Sequence, residues 1–461
     1  MKLLYLACLL PLAGCGDDDC CKVDPDASTG GDGSNSDGRT EVARVPVTVN
    51  RDIDILFVID DSPSMLDKQT NLKNNFPNFI NVLNTVEGGL PNVHLGVVST
   101  DLGTKGADDA SAGPGIGSGP GSCSGNGKAG NLQTNGSTLV VGSFISDTKN
   151  TDGTRTTNYS GSLASAFSAI ASLGAAGCGF EQPIEAAKRA LNNNPANAGF
   201  LRPTAGLAIV MLTDEDDCSI SHSTLLSSDT ATLGPLQSFR CTRFGVTCDN
   251  GGANSDAMNV MGSKTACHSN EQSAYLKDIG SYATFFQGLK ANPNAIVMAA
   301  IAAPPTPFDV ELRAPPGGGT MIPALAHSCT YQGAAGPEVG DPAVRVVEFL
   351  NHFPRHTFGT VCQADLSGPL IQTAQVLNGL VGSPCVYETL AMPLDCVVTE
   401  EIGASKTTLP QCNNGSSSTN KPCWELLEDP ASCAGGSHLK LTIERSQAPD
   451  PSAVVVMRCK V

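Results

Sequence analysis

A chain of 461 residues, 40 % of them hydrophobic, is long enough for one large domain with additions, or for two or three domains. Its net charge of −17 excludes a nucleic-acid partner held by basic patches, and an aromatic content of 5 % advertises no stacking surface for bases or sugars.

Residues 1–14 carry a single Lys2 and then an apolar run too short to span a bilayer, which suits a secretory signal. The run closes in Leu12-Ala13-Gly14-Cys15. This ending resembles a bacterial lipobox, and the resemblance implies cleavage before Cys15, a lipid on Cys15, and membrane anchorage through it. Residues 15–45 are rich in Asp, Gly, Ser and Thr and bury too little apolar surface to fold. As a flexible coil they form a tether of about 30 Å. Of eighteen cysteines, setting aside Cys8 and Cys15 leaves sixteen, an even number, and no Cys-x-x-Cys occurs. Structural disulfides of an oxidising compartment are expected, with connectivity left open.

The stretch Asp52 to Ile59 is apolar and β-branched, and reads as a buried strand of a parallel sheet. It runs into Asp60-Asp61-Ser62-Pro63-Ser64, after which Met65, Leu72, Phe76, Phe79, Ile80 and Leu83 recur at helical spacing. Pro77 is expected to kink or interrupt that helix. Asn92 to Thr100 is a second strand, 103–128 a long Gly-rich loop, and Leu139 to Ile145 a short edge strand. Helical segments come next at Tyr159 to Leu173 and from Pro183, which suits a first turn. Gly206 to Thr213 is a third buried strand and ends in Asp214-Glu215-Asp216-Asp217. After an insertion at 219–270, a helix over 272–290 leads to the strand Ala295 to Ala302. A Pro- and Gly-rich insertion at 304–337 precedes a helix at Val344 to Phe353, a strand at His356 to Val361 and a helix at Leu366 to Val381. The alternation predicts an α/β domain over 46–382, with a doubly wound, mostly parallel sheet and long disulfide-bearing insertions.

One carboxylate and two hydroxyls on a tight turn supply oxygen ligands for a hard cation, at the strand end where open α/β sheets bind ligands. The simpler reading makes Asp60 and Ser62 caps of the following helix. The arrangement of Asp60, Ser62 and Ser64 resembles the metal-ion-dependent adhesion site of von Willebrand factor type A domains. That resemblance implies Mg²⁺, with Mn²⁺ or Ca²⁺ as alternatives, and one open position for a partner's carboxylate. Thr213-Asp214 match the family's second aspartate, so Asp214 is implied as a ligand through water, although Glu215 replaces the usual glycine. The family's loop threonine has no counterpart in Gly177-Cys178-Gly179-Phe180-Glu181. Glu181 either takes its place or favours the helix amino terminus. Cys178 and Cys218 follow the same sheet edge and are expected to pair. Gly177 to Pro183, Thr213 to Ser219 and Phe239-Arg240-Cys241 resemble secreted, Cys-rich type A lipoproteins of myxobacteria and their relatives.

Residues 383–461 hold six cysteines and strands near Val397 to Thr399, Leu439 to Ile443 and Ala453 to Met457, and read as a small disulfide-stapled β module. Trp424 is expected in its core. No nucleophile elbow, His-Glu-x-x-His or phosphate loop is present, and Pro354 separates His352 from His356. The expected function is therefore non-enzymatic: an envelope-anchored binding protein, placed at the outer membrane, whose cation captures a carboxylate on a protein or surface polymer. A structural envelope component, or a metal-assisted hydrolase, are the other readings.

Overall fold

The computed structural model describes residues 38–46, 50–86, 89–315, 318–334, 336–381, 385–412, 421–430, 433, 437–447, 449–450 and 452–461. The signal segment, Cys15 and most of the tether lie outside the described residues. A seven-stranded mixed sheet organises the fold: β1 (Asp52–Ile59), β2 (Asn92–Ser99), β3 (Ile145–Lys149), β4 (Arg155–Thr157), β5 (Gly206–Leu212), β6 (Ile296–Ala302) and β7 (His356–Thr360), in the spatial order β7-β6-β5-β1-β2-β3-β4. The first five of that order are mutually parallel. β3 and β4 add an antiparallel edge; the expected edge strand Leu139 to Ile145 is not formed, and the strand found there starts at the last residue of that stretch, Ile145.

β1 lacks polar alternation because both of its faces are covered. Ile53, Ile55, Phe57 and Ile59 pack on one side with α1 (Leu66–Leu83), α2 (Leu163–Ile170) and α6 (Ser367–Leu380). Leu56 and Val58 pack on the other with α3 (Pro183–Leu191), α4 (Ile279–Gln287) and α5 (Val344–Asn351). On the first side Phe57, Phe76, Phe79 and Phe167 form an aromatic cluster, with Phe76 and Phe167 stacked at 3.7 Å. Pro77 does not interrupt α1, which runs unbroken across it. The proline is exposed, so the missing backbone bond lies on the solvent side of the helix.

The two insertions are folded, and they are joined. The strand Phe308–Arg313 pairs with Ile322–Leu325 on one side and with Gly262–Ser269 on the other, and the latter pairs with Val246–Asn250. One four-stranded sheet thus spans both insertions. A separate hairpin, Cys329–Gln332 with Pro337–Gly340, lies beside α1, where the Tyr331 hydroxyl donates to Asp67 at 2.9 Å.

Fourteen described cysteines form seven disulfides. The expected Cys178–Cys218 pair does not exist. Cys178 bonds Cys123 and Cys218 bonds Cys241. The backbone of the Cys178 loop bridges to Gly121 of the long Gly-rich loop, which brings Cys123 to it. The first bond ties the Gly-rich loop to the Cys178 loop and the second ties the first insertion back to the end of β5, closing separations of 55 and 23 residues that would otherwise cost chain entropy.

The carboxyl-terminal module recruits a strand from the segment assigned to the tether. Thr40–Pro46 pairs with Val454–Cys459, and with Cys396–Ile402 and Ser405–Leu409 completes a four-stranded sheet. Trp424 is in the module's core, its indole N–H donating to the Leu409 carbonyl at 3.1 Å. Among the described residues no helix is long and apolar enough to cross a membrane.

Candidate metal centre

Register places the site. Ile59 pairs with Leu212 and with Ser99, so the next residues, Asp60, Thr213 and Thr100, lie side by side at the carboxyl edge. The Asp60 N–H donates to Leu212 O at 3.0 Å and the Thr100 N–H to Ile59 O at 3.2 Å, which extends the ladder into the turn. The Asp60 carboxylate accepts the Ser62 N–H on Oδ1 at 2.8 Å and the Thr213 hydroxyl on Oδ2 at 2.9 Å. The hydroxyls of Ser62 and Ser64 are 3.2 Å apart. Gln69 Nε2 donates to the Asp60 carbonyl at 2.9 Å, fixing the turn to the first turns of α1. Asp60 does not cap that helix: the cap residue is Met65, without a side-chain bond.

The four carboxylates after β5 divide into two pairs. Asp216 accepts the backbone N–H groups of Arg345 and Val346 at 3.0 and 3.1 Å, stabilising the amino terminus of α5. Asp217 accepts the Ile184 N–H at 3.2 Å and pairs with the buried Arg345 guanidinium at 3.1 Å. Asp214 and Glu215 line a cavity of about 470 Å³, together with Ser64, Glu181, Asp341 and also Asp216. Asp60 and Ser62 are buried and are not among the residues that line it. The opposite wall comes from the joined insertions, including Phe239, Arg313 and His327.

This edge of the sheet is electrostatically under-compensated. Burial, then the charge of Asp214, pushes the Asp60 carboxyl up to about 8 against the hydrogen bonds from Ser62 and Thr213. Burial raises Asp214 as well, opposed by Lys68 and reinforced by Asp341. Glu181 is driven well above its ordinary range by burial, then by Glu215 and Asp60. Asp214 Oδ1, Glu181 Oε1, the Thr100 hydroxyl and both polar atoms of the Gln182 side chain are buried with no hydrogen-bond partner among the described residues. Desolvated, mutually repelling carboxylates and orphaned oxygens are the environment a hard cation relieves, so the donor set fits one. Among the described residues no three of these carboxylate oxygens lie within 4.8 Å of one another, so Asp60, Asp214 and Glu181 do not form a compact three-carboxylate cage. The one group that meets that spacing, Cys412, Cys423 and Glu444, has its two sulfurs committed to a disulfide.

Lys68 belongs to the site and was not legible in the sequence. Its side chain is fully buried, and its ammonium contacts Asp214 Oδ2 at 3.0 Å, Ser64 O at 3.1 Å and Glu338 Oε2 at 2.6 Å. Burial works against its charge, but Asp214 and Glu338 outweigh that and raise the lysine above its ordinary value. A lysine in the first turn of an amphipathic helix reads as solvent-facing; only its four-residue spacing from Ser64 hinted otherwise. Thr100 is a second such residue, and no motif marks it.

No protein-family model matches the sequence, and no curated protein matches it. Among solved structures, the chain is similar to a von Willebrand factor type A protein from Catenulispora acidiphila, at 10 % identity and a TM-score of 0.29 over 91 % of this chain and 61 % of that one. It is also similar to a pilus adhesin from Streptococcus pneumoniae, at 11 % identity and a TM-score of 0.21 over 91 % and 57 % of the two chains. The chain spans about three fifths of the length of these neighbours, at 61 % and 57 %.

Proposed function

We propose that this protein is a binding protein of the cell envelope, anchored by lipid on Cys15 and built on a doubly wound domain of the von Willebrand factor type A kind. Its divalent cation, Mg²⁺ or its relatives, is held by Asp60, Ser62 and Ser64, with Asp214 and Glu181 contributing through water. The cation presents an open position to a carboxylate on a protein or surface polymer. One observation carries this reading: Asp60 and a serine pair stand at the sheet edge where Asp214 and Glu181, each with a buried carboxylate oxygen that has no hydrogen-bond partner among the described residues, line a cavity.

The walls refine the partner. A cavity of about 470 Å³ between the sheet edge and the joined insertions admits a protruding acidic side chain, whereas a flat protein face would not reach its floor. Phe239 and Leu325 on the walls supply apolar contact to the stem of such a group. The disulfides suit an oxidising compartment, and two of them tie the insertions that carry these walls to the rest of the domain.

The test uses a surface coated with poly-glutamate. The protein is expected to be retained in Mg²⁺ and released by EDTA, with Asp60→Ala not retained. Retention that is indifferent to EDTA would sink the reading and leave the acidic edge as a structural feature.

A further inference from the structure

We propose that Lys68 sets the cation preference of this site, favouring Mg²⁺ over Ca²⁺. This role rests on the cation reading of the site and adds a specificity-determining residue to it.

The Lys68 ammonium has three donors, and three acceptors surround it: Asp214 Oδ2, the Ser64 carbonyl and Glu338 Oε2. Asp214 Oδ2 is thereby committed, while Oδ1 is buried and accepts no hydrogen bond from the described residues. Asp214 therefore offers a cation, or the cation's water, one oxygen. Asp60 differs: Ser62 donates to its Oδ1 and Thr213 to its Oδ2, neutral donors that leave each oxygen a second lone pair for a cation. Only Asp214 has a positive charge set against one of its two oxygens.

The two metals differ in what they require. Ca²⁺ gathers about six to eight oxygens and commonly takes a carboxylate through both, whereas Mg²⁺ accepts an octahedral shell, keeps several waters and needs only one or two carboxylates. A fixed positive charge against Asp214 also lowers the negative charge available to a cation that relies on many anionic ligands. Both effects run toward Mg²⁺. Glu338, on the hairpin Cys329–Gln332/Pro337–Gly340, pairs with the ammonium at 2.6 Å and holds it against Asp214. Lys68 acts through Asp214 and Ser64 and is a positioning residue.

Mg²⁺ and Ca²⁺ are titrated separately by calorimetry into the intact protein, Lys68→Met and Lys68→Gln, with circular dichroism to check that each is folded. In the intact protein Mg²⁺ is expected to bind at least about tenfold more tightly than Ca²⁺. In Lys68→Met that ratio falls by about fivefold, chiefly through tighter Ca²⁺ binding as Asp214 gains a second free oxygen. Lys68→Gln keeps an N–H donor for Asp214 without the charge, and gives a ratio between the two; it also serves where the methionine variant does not fold. An unchanged ratio in variants that still bind both metals overturns the role of Lys68 and leaves the cation site standing. Ca²⁺ binding as tightly as Mg²⁺ to the intact protein overturns it without any variant. No saturable binding of either metal to the intact protein removes the cation site, and the role of Lys68 with it.

Discussion

Asp54 is the residue whose burial most needs an explanation, because it stands in the middle of β1 with no solvent exposure. Arg202 supplies the explanation. Its Nε and its backbone N–H each donate to the Asp54 carboxylate at 2.7 Å, and its Nη2 reaches the Ile53 and Asn92 carbonyls at 2.8 and 3.0 Å. Lys290, also buried, approaches at 3.6 Å. Burial still raises the Asp54 carboxyl despite Arg202 and Lys290, so these partners offset only part of a real desolvation cost. Arg202→Ala, which strands the carboxylate, is expected to lower unfolding stability by about 3 kcal/mol in urea. A loss of only a few tenths would mean that water reaches Asp54. At this scale the candidate site was partly legible. Asp60, Ser62, Ser64 and Asp214 stand directly after two apolar strands, and the register of those strands brings them to one edge. Lys68, Glu338 and Asp341 were not legible, since their roles depend on how a helix face meets an insertion that carries no periodic pattern.

At the scale of elements, the alternation of strands and helices was readable because hydrophobic runs report burial on both faces. The strand Thr40–Pro46 was not, because it is a short, mostly apolar stretch directly after an Asp-, Gly- and Ser-rich leader and its partner, Val454–Cys459, lies at the far end of the chain. Ion pairs clamp it there. Arg44 holds Glu401 at 3.0 Å and Arg39 reaches Asp395, which Lys460 also contacts at 2.7 Å. Burial alone would raise Glu401, but the bonds from Lys406 and Arg44 outweigh it and hold the carboxyl below 4.5. Lys460 and Arg39 hold Asp395 below 3.8. Both groups are depressed in the folded state, so the unfolded chain binds more protons. Their contribution is complete above those ordinary values and is lost as pH falls through the folded ones. Thermal melts from pH 6 down to pH 3 (roughly the span of carboxylate titration) should show a steeper fall in Tm for the intact protein than for Glu401→Gln. Parallel curves would show that the clamp contributes nothing.

Across the whole molecule, the disulfides and the insertions account for what sequence could not settle. Cysteine number and the absence of Cys-x-x-Cys pointed to structural bonds, and seven are present among the described residues. Which cysteine meets which is decided by loop paths, and no local pattern in Gly- and Ser-rich segments records those. The same paths turn an open sheet edge into a walled cavity, with Cys218–Cys241 on its lining and the Cys329–Cys362 bond at the root of the neighbouring hairpin. Asp216 and Asp217 support this assembly by holding the amino ends of α5 and α3, while Asp214 and Glu215 line the cavity beside Asp216.

Divalent-cation binding at this edge is tested most directly by isothermal titration of Mg²⁺, Mn²⁺ and Ca²⁺ into the purified protein, beside Asp60→Ala. Saturable binding by the intact protein that a folded Asp60→Ala variant loses is the result expected. A flat titration for all three cations would contradict the cation site, and the buried carboxylates would then have to be carried as neutral acids within a structural scaffold.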